Sequence, residues 1–385
     1  MTVQLLSHVR AVTPGRIVED ATVATEDGRV VAIEEHRSYV GAVDGRGAFC
    51  LPGLVDSHCD AIEREISPRP TARFDVDFAL RSLERRFLGS GITTAFHGVR
   101  FGNEEDAGIE PLGPCLVDAI VRRREEHPRL DHRILYRVPA RGAGAVERAR
   151  TRLDAVAVPG ESPLLSFEDH TPGQGQYRDL AQYKAAMRHY GADSDADAEV
   201  DRRLREAVAT LPVREANVVR IGHLAAEGTA RILAHDCVDE EEVAAAVGWG
   251  AAVAEFPVTI EAARAARDRG MPVVLGAPNV LLGGSHSGNL SAEVAITAGL
   301  CTGLASDYLP PSMLAAAFDL AGRNVLALPD AVHLVTAGPA EVAGHPDRGQ
   351  LRVGAPADLI LVALEGRWPS VVAVLTQAAE RVLMA

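Results

Sequence analysis

The chain has 385 residues, and several common features are missing from it. No apolar run is long enough to span a bilayer, which excludes a helical membrane protein. The opening stretch, "MTVQLLSHVRAVTPG", has no basic segment leading into an apolar one, so no secretion signal is expected there. Cysteine is scarce: Cys50, Cys59, Cys115, Cys237 and Cys301 are scattered, odd in number and form no CxxC pair. That pattern offers no structural zinc knot and suits reduced thiols in the cytoplasm. Positive charge is in deficit, with 39 Lys and Arg against 53 Asp and Glu and a net charge of −14. General nucleic-acid binding is therefore not expected, and an anionic ligand must be met by local cations or by metal. No G-x-x-x-x-G-K-[ST] occurs, which excludes a P-loop. Internal repeats and low-complexity linkers are also missing.

Apolar residues make up 47% of the chain, enough for a large core. Residues 3–50 read as short strands and turns, and "ATVATEDGRVVAIEE" reads as a hairpin around Asp27-Gly28. Eight short apolar runs follow: "CLPGLVDSH", "GITTAFHGV", "HRILYRV", "PLLSFEDH", "ARILAHD", "AAVAEFPV", "PVVLGAPN" and "CTGLASD". Between them lie stretches such as "DEEEVAAAVGWG" and "IEAARAARDRG", with helical spacing and a closing glycine. The acidic stretch "GADSDADAEVDRRLREAVATL" reads as the capped start of a surface helix. Eight strands alternating with helices predict an α/β chain built on a (β/α)8 barrel over residues 51–349. After "APADLILVALEG" the composition is strand-like again. Residues 1–50 and 350–385 are therefore expected to form a small β-sandwich domain together.

Barrel enzymes carry their chemistry at the C-terminal ends of the strands. Here the first run ends in His58-Cys59-Asp60, and residues two apart on a strand face the same way. The fourth ends in Glu168-Asp169-His170, the fifth in His235-Asp236, the sixth at Glu255 and the eighth in Ser306-Asp307. Each has a plainer structural role open to it, such as a hydrogen-bonded histidine or an aspartate helix cap. Five of eight strand ends sharing ligand-type residues are better explained by one centre binding one or two divalent ions. Mixed imidazole and carboxylate donors favour zinc, with manganese or iron as the other candidates. Glu63 stands close enough in sequence to join the metal set or to orient it. Arg64, Arg69 and Arg73 follow, and guanidinium groups suit anionic oxygens. Arg100 closes the second strand. "GAPNVLLGGSHSGN" is a glycine-rich loop after the seventh strand, a usual phosphate position in barrels. Its Gly283, Gly284, Ser285, His286, Ser287 and Asn289 are candidates to cradle a phosphate chain. Gln174, Gln176, Tyr177 and Lys184 follow the fourth strand and are placed to close over a substrate.

The segments "PGLVDSHCDAIEREISPRP", "DHTPGQGQY", "AHD", "AEFPVTIEAARAARDRGMPVVLGAPNVLLGGSHSGN" and "LASDYLPPSMLAAAF" resemble the amidohydrolase superfamily over most of residues 50–320. They are most similar to its PhnM-like branch of phosphonate-pathway diphosphatases. The superfamily commonly has His-x-His after its first strand, and His58-x-Asp60 is the form this branch shares. Glu168 and His97 depart from the branch pattern. Glu168 matches the bridging carboxylate used elsewhere in the superfamily.

The resemblance implies a metal-dependent phosphoanhydride hydrolase. The substrate implied is an α-D-ribose 1-alkylphosphonate 5-triphosphate, converted to the 5-phosphate and pyrophosphate. It implies metal ligation by His58, Asp60, Glu168, His170, His235 and Asp307, with Glu63 in reserve. Asp307 would act as general base and His235 would be the second catalytic residue. Arg64, Arg69, Arg100, Gln176, Lys184, Gly284, Ser285, His286 and Asn289 would bind substrate. A cytoplasmic homodimer is expected, with other phosphonate-pathway enzymes as possible partners and with neither membrane nor nucleic acid involved. Two alternatives use the same barrel. One is a C–N hydrolase, such as a deaminase or cyclic amide hydrolase, and the other is a metal-free pathway scaffold. The cluster of arginines and the glycine-rich loop argue against the first, and the retained His58, Asp60, His235 and Asp307 against the second.

Overall fold

A computed structural model describes residues 3–69, 71–102, 112–126, 128–156, 162–189, 196–285, 287–376 and 379–384. Strands β1 (Val3–Thr13), β2 (Arg16–Glu26), β3 (Arg29–Glu35), β4 (Val43–Asp44) and β5 (Phe49–Pro52) open the chain. Strands β6 (Leu54–Cys59), β7 (Ile92–Arg100), β8 (Asp131–Pro139) and β9 (Leu164–Glu168) follow, then β10 (Arg231–His235), β11 (Ala251–Glu255), β12 (Val273–Gly276) and β13 (Gly303–Ala305). Strands β14 (Leu359–Glu365), β15 (Trp368–Thr376) and β16 (Ala379–Met384) end it. All eight apolar runs read from the sequence are strands, β6 to β13, and they pair in parallel and in chain order. A parallel bridge between Cys59 and Asp307 closes the ring. There Asp60 N–H donates to the Asp307 carbonyl at 2.6 Å, and Asp307 N–H donates to the His58 carbonyl at 2.9 Å.

The intervening helices form where polar caps meet small-residue apolar faces. Asp239 caps the helix Glu240–Gly248 through the Glu242 amide, and Thr259 caps Ile260–Asp268 through the Ala262 amide. Gly250 and Gly270 follow these helices with φ of 87° and 75°, a conformation that disfavours any side chain.

The first and last strands make one mixed sheet in the order β16-β15-β14-β5-β1-β2-β3, with β4 paired to β1. Asp27 and Gly28 both have positive φ at the β2–β3 hairpin, as the Asp-Gly turn requires. The sheet folds back on its own core, since Val30 N–H donates to the Ala355 carbonyl and Ala357 N–H to Gly28. Phe49 packs edge-on against Phe318 at 5.5 Å and ties this sheet to the barrel's helical layer. Among the described residues no helix is long and apolar enough to cross a membrane.

The barrel interior decides where the site sits. Val55, Phe96, Leu135, Leu164, Leu233, Val253, Val274 and Ala305 form one apolar layer, one residue from each barrel strand. Ala340, Val342 and Ala343 pack with this layer. Side chains alternate along a strand, so the next inward position lies two residues on. That rule gives Gly98, Arg137, Ser166, His235, Glu255, Gly276 and Asp307. The change from apolar to polar across one pleat separates the core from the chemistry. In β6 the pairing with β7 shifts register between Asp56 and Cys59, and His58 and Asp60 face the resulting cavity.

Candidate active site

A cavity of about 1020 Å3 opens at the C-terminal ends of the barrel strands. Beneath the lining, fully buried, Glu255 holds two histidines at once. Its Oε1 accepts from His58 Nδ1 and its Oε2 from His235 Nδ1, both at 2.7 Å. Ser166 donates to the same carboxylate. An ionised carboxylate only accepts, so both imidazoles carry their proton on Nδ1, and both Nε2 atoms turn to the cavity. The two rings stack 5.9 Å apart and rest against Phe256.

Around the cavity-facing Nε2 atoms stand carboxylates. His58 Nε2 is 3.5 Å from Asp60, and His235 Nε2 is 3.4 Å from Asp236. His170 Nε2 lies 3.9 Å from the same Asp236 oxygen. Asp236, Phe256 and Asp307 have φ of 60°, 51° and 56°, left-handed values that turn the chain sharply at the ends of β10, β11 and β13. Burial opposes the charged form of both His58 and His235, but the surrounding carboxylates outweigh it. Glu255 and Asp60 hold His58 well above its usual pKa, and Asp236 with Glu168 and Glu255 raises His235 to about 9. Burial pushes Asp236 up to about 6, His170 down to about 4, and Asp307 above the usual carboxylate value.

The donor set fits a divalent cation. Among the described residues three groups have ligand atoms within 4.8 Å of one another: His58, His235 and Glu255; His170, His235 and Asp236; and His58, Asp60 and Asp307. In the first group the Nδ1 atoms already bond Glu255, so the other two are the candidates. Asp60 Oδ1, His170 Nε2 and Asp236 Oδ2 are buried with no hydrogen-bond partner. Buried polar atoms without partners are costly; a cation held by His58, Asp60 and Asp307 would satisfy the first, and one held by His170, His235 and Asp236 the other two.

The residues read from the sequence fall into distinct places. His58, Asp60, Glu63, His170, His235 and Asp307 line the cavity, as do Arg64, Arg100, Gln176, Tyr177, Ser285, Ser287 and Asn289. Glu168 is buried, but both its oxygens are bound by Arg137, at 2.7 Å from Nε and 3.0 Å from Nη2. It belongs to none of the three ligand groups. Lys184 turns away to pair with Asp197 on the next helix, Ala196–Ala209. Arg69 and Arg73 do not line the cavity; both are exposed, and Arg69 forms a backbone bridge with Ala72. Gln174 is exposed, and Gly284, next to the left-handed Gly283 that ends the helix Ala277–Leu282, also stays outside the lining. His286 lies outside the described residues.

Arg137, Arg203 and Tyr308 line the cavity without having been singled out as binders, and Asp236, read from the sequence only as part of the fifth strand end, lines it too. Arg137 shares its pleat parity with Leu135, so alternation alone would have aimed it inward. Arg203 sits on a helix reached by a long excursion after β9, and no local signal marks it.

The eight-stranded parallel barrel, with histidines and carboxylates converging at its strand ends, is the fold of barrel hydrolases of known structure. No family model matches the chain. It is 33% identical over 366 residues to the α-D-ribose 1-methylphosphonate 5-triphosphate diphosphatase of Escherichia coli, covering 93% of this chain and 94% of that one. The chain belongs to the family of that diphosphatase, the PhnM family. Solved structures agree on the fold. A triazine hydrolase variant superposes with a TM-score of 0.67 at 16% identity, covering 100% of this chain and 95% of its own. The 5-methylcytosine deaminase of Klebsiella pneumoniae, liganded with phosphonocytosine, gives 0.65 at 14%, covering 99% and 98%.

Proposed function

We propose that the site hydrolyses the triphosphate of an α-D-ribose 1-alkylphosphonate 5-triphosphate to the 5-phosphate and pyrophosphate. One observation carries this reading. Arg64 and Arg100 line the cavity wall, and among the described residues neither has a carboxylate partner. Arg64 instead lies over the Tyr308 ring, 5.3 Å from its centroid. Placed without a described carboxylate partner above a histidine and carboxylate cluster, these two guanidinium groups mark a place for anionic oxygens. The full-length likeness to the Escherichia coli diphosphatase supports a ribose triphosphate as the anion.

The metal set in this reading is His58, Asp60 and Asp307 on one side, and His170, His235 and Asp236 on the other. It holds one or two divalent ions, zinc first among the candidates. When bound, such an ion polarises phosphoryl oxygens and acidifies water. The chain's own groups do the rest. Asp307 accepts the proton of the attacking water. Arg64 and Arg100 hold the phosphate chain and neutralise charge on the leaving pyrophosphate. Ser285, Ser287 and Asn289 face the cavity from the glycine-rich loop, and Asn289 is tied to the Gln176 carbonyl at 3.2 Å. That bond joins the two loops that flank the phosphate path.

Two measurements follow. Attack at the α-phosphorus leaves the water oxygen on the sugar phosphate. Hydrolysis in 18O-water followed by 31P NMR is therefore expected to show label in the ribose 5-phosphate and none in pyrophosphate. Label in pyrophosphate, or release of orthophosphate, would overturn the reading. Arg64→Ala and Arg100→Ala are each expected to raise KM by about 10–100-fold, the usual cost of one charged hydrogen bond, with metal content unchanged. Loss of metal in either variant would show that these arginines support the metal centre rather than the substrate.

A further inference from the structure

We infer that Arg137 is a built-in cation that fixes Asp60 and keeps Glu168 out of the metal shell. The inference rests on the metal reading of the strand ends and not on which anhydride is cleaved. Arg137 is 4% exposed, on the inward face of β8. Its guanidinium spans two carboxylates. Nε and Nη2 bind the two oxygens of Glu168, and Nη1 binds Asp60 Oδ2. With Oδ2 held, Asp60 Oδ1 is left buried and unpartnered, facing His58 Nε2 at 3.5 Å. Arg137 thus gives Asp60 a single free oxygen in a set direction, as Glu255 sets the two histidines.

The neighbouring strand makes room for this pair. A Cβ on Gly98 of β7 would lie 2.5 Å from Asp60 Oδ1 and 3.0 Å from Arg137 Cδ. Any side chain there would collide with the pair, and Gly98 has an ordinary backbone conformation that does not itself require glycine. The glycine is there for space. Charge points the same way. Two carboxylates buried side by side cannot both ionise without a cation between them. Arg137 already supplies that cation at the fourth strand, where a bridging carboxylate would otherwise share metal. Glu168 is therefore a partner for Arg137, and Arg137 is a positioning residue for Asp60.

The test reads metal content without substrate. Glu168→Gln is expected to keep the metal per chain of the wild type, measured by mass spectrometry of purified protein. Arg137→Met frees Glu168 and one oxygen of Asp60 together, and is expected to bind one further equivalent of divalent ion per chain. A drop in metal in Glu168→Gln, matching that of His235→Ala, would overturn the inference. So would an unchanged count in Arg137→Met. Should either variant fail to fold, anomalous scattering from wild-type crystals decides. A metal peak within bonding distance of a Glu168 oxygen, about 2.0–2.2 Å, overturns the inference, and a peak confined to Asp60, Asp307 and the histidines supports it. Wild-type protein that binds no divalent ion at all would bring down the metal reading and this inference with it. Metal lost only with Glu168 would bring down this inference alone.

Discussion

Asp307→Asn is expected to lower kcat by about 10²–10⁴-fold, the usual contribution of a positioned proton acceptor, while the protein stays folded. The backbone argument for a folded variant is direct. Asp307 closes the barrel through its main-chain N–H and carbonyl, bonded to His58 and Asp60, and the amide side chain leaves both bonds in place. Its carboxylate lines the cavity, and its nearest charged neighbours are His58 and Asp60. Burial raises its pKa, opposed by the positive His58, so it is a stronger base than a solvated aspartate. An asparagine of the same size keeps the shape and removes the lone pair that takes the proton. Steady-state kinetics with metal analysis on the same sample separates two roles. Lost turnover with metal retained assigns Asp307 as the base. Metal lost in step with turnover assigns it as a ligand, and the proton acceptor must then be sought elsewhere in the cavity.

The eight strands were legible because short apolar runs alternate with helix-patterned segments, and five of those runs end in ligand-type residues at what becomes the C-terminal rim of the barrel. The same junctions marked His58, Asp60, His235 and Asp307, whose place is fixed by the strand that carries them. Glu255 was visible as an acid at a strand end, but its bond to His58 spans 197 residues of sequence, and no local pattern reports that distance. Arg137 was hidden differently. It sits inside the apolar run "HRILYRV", where an arginine reads as an interruption until pleat parity places it beside Glu168. The long side chains on loops and helices were the least legible. Lys184 and Arg69 have four or more rotatable bonds, and their direction is set by whichever carboxylate or solvent the tertiary fold brings near. Lys184 met Asp197 first.

Glu255 is expected to show the other large effect, through two different losses. Glu255→Gln keeps the volume but offers a single acceptor oxygen where two histidine N–H groups need one each. One ring loses its anchor and gains a facing amide N–H. Removing a partner that orients a metal-binding histidine costs about 10–100-fold in metal affinity or activity, and here a single residue orients two. Competition with a chelator of known affinity, monitored on purified protein, gives the shift directly. Glu255→Ala goes further. Burial opposes a charge on Glu255, but His58 and His235 hold its carboxyl well below the usual range. Deleting it strands two buried imidazoles and the Ser166 hydroxyl without their acceptor. Breaking a buried charged network by removing one member costs about 3–5 kcal/mol, so chemical denaturation of the metal-free protein is expected to show a lower midpoint by a corresponding amount. The metal-free comparison matters, because a bound cation would stabilise the native state by mass action and mask the loss. A Glu255→Gln variant that keeps full metal affinity would show that the two histidines are held by their packing against Phe256 instead, and that the carboxylate beneath them is only a buried anion.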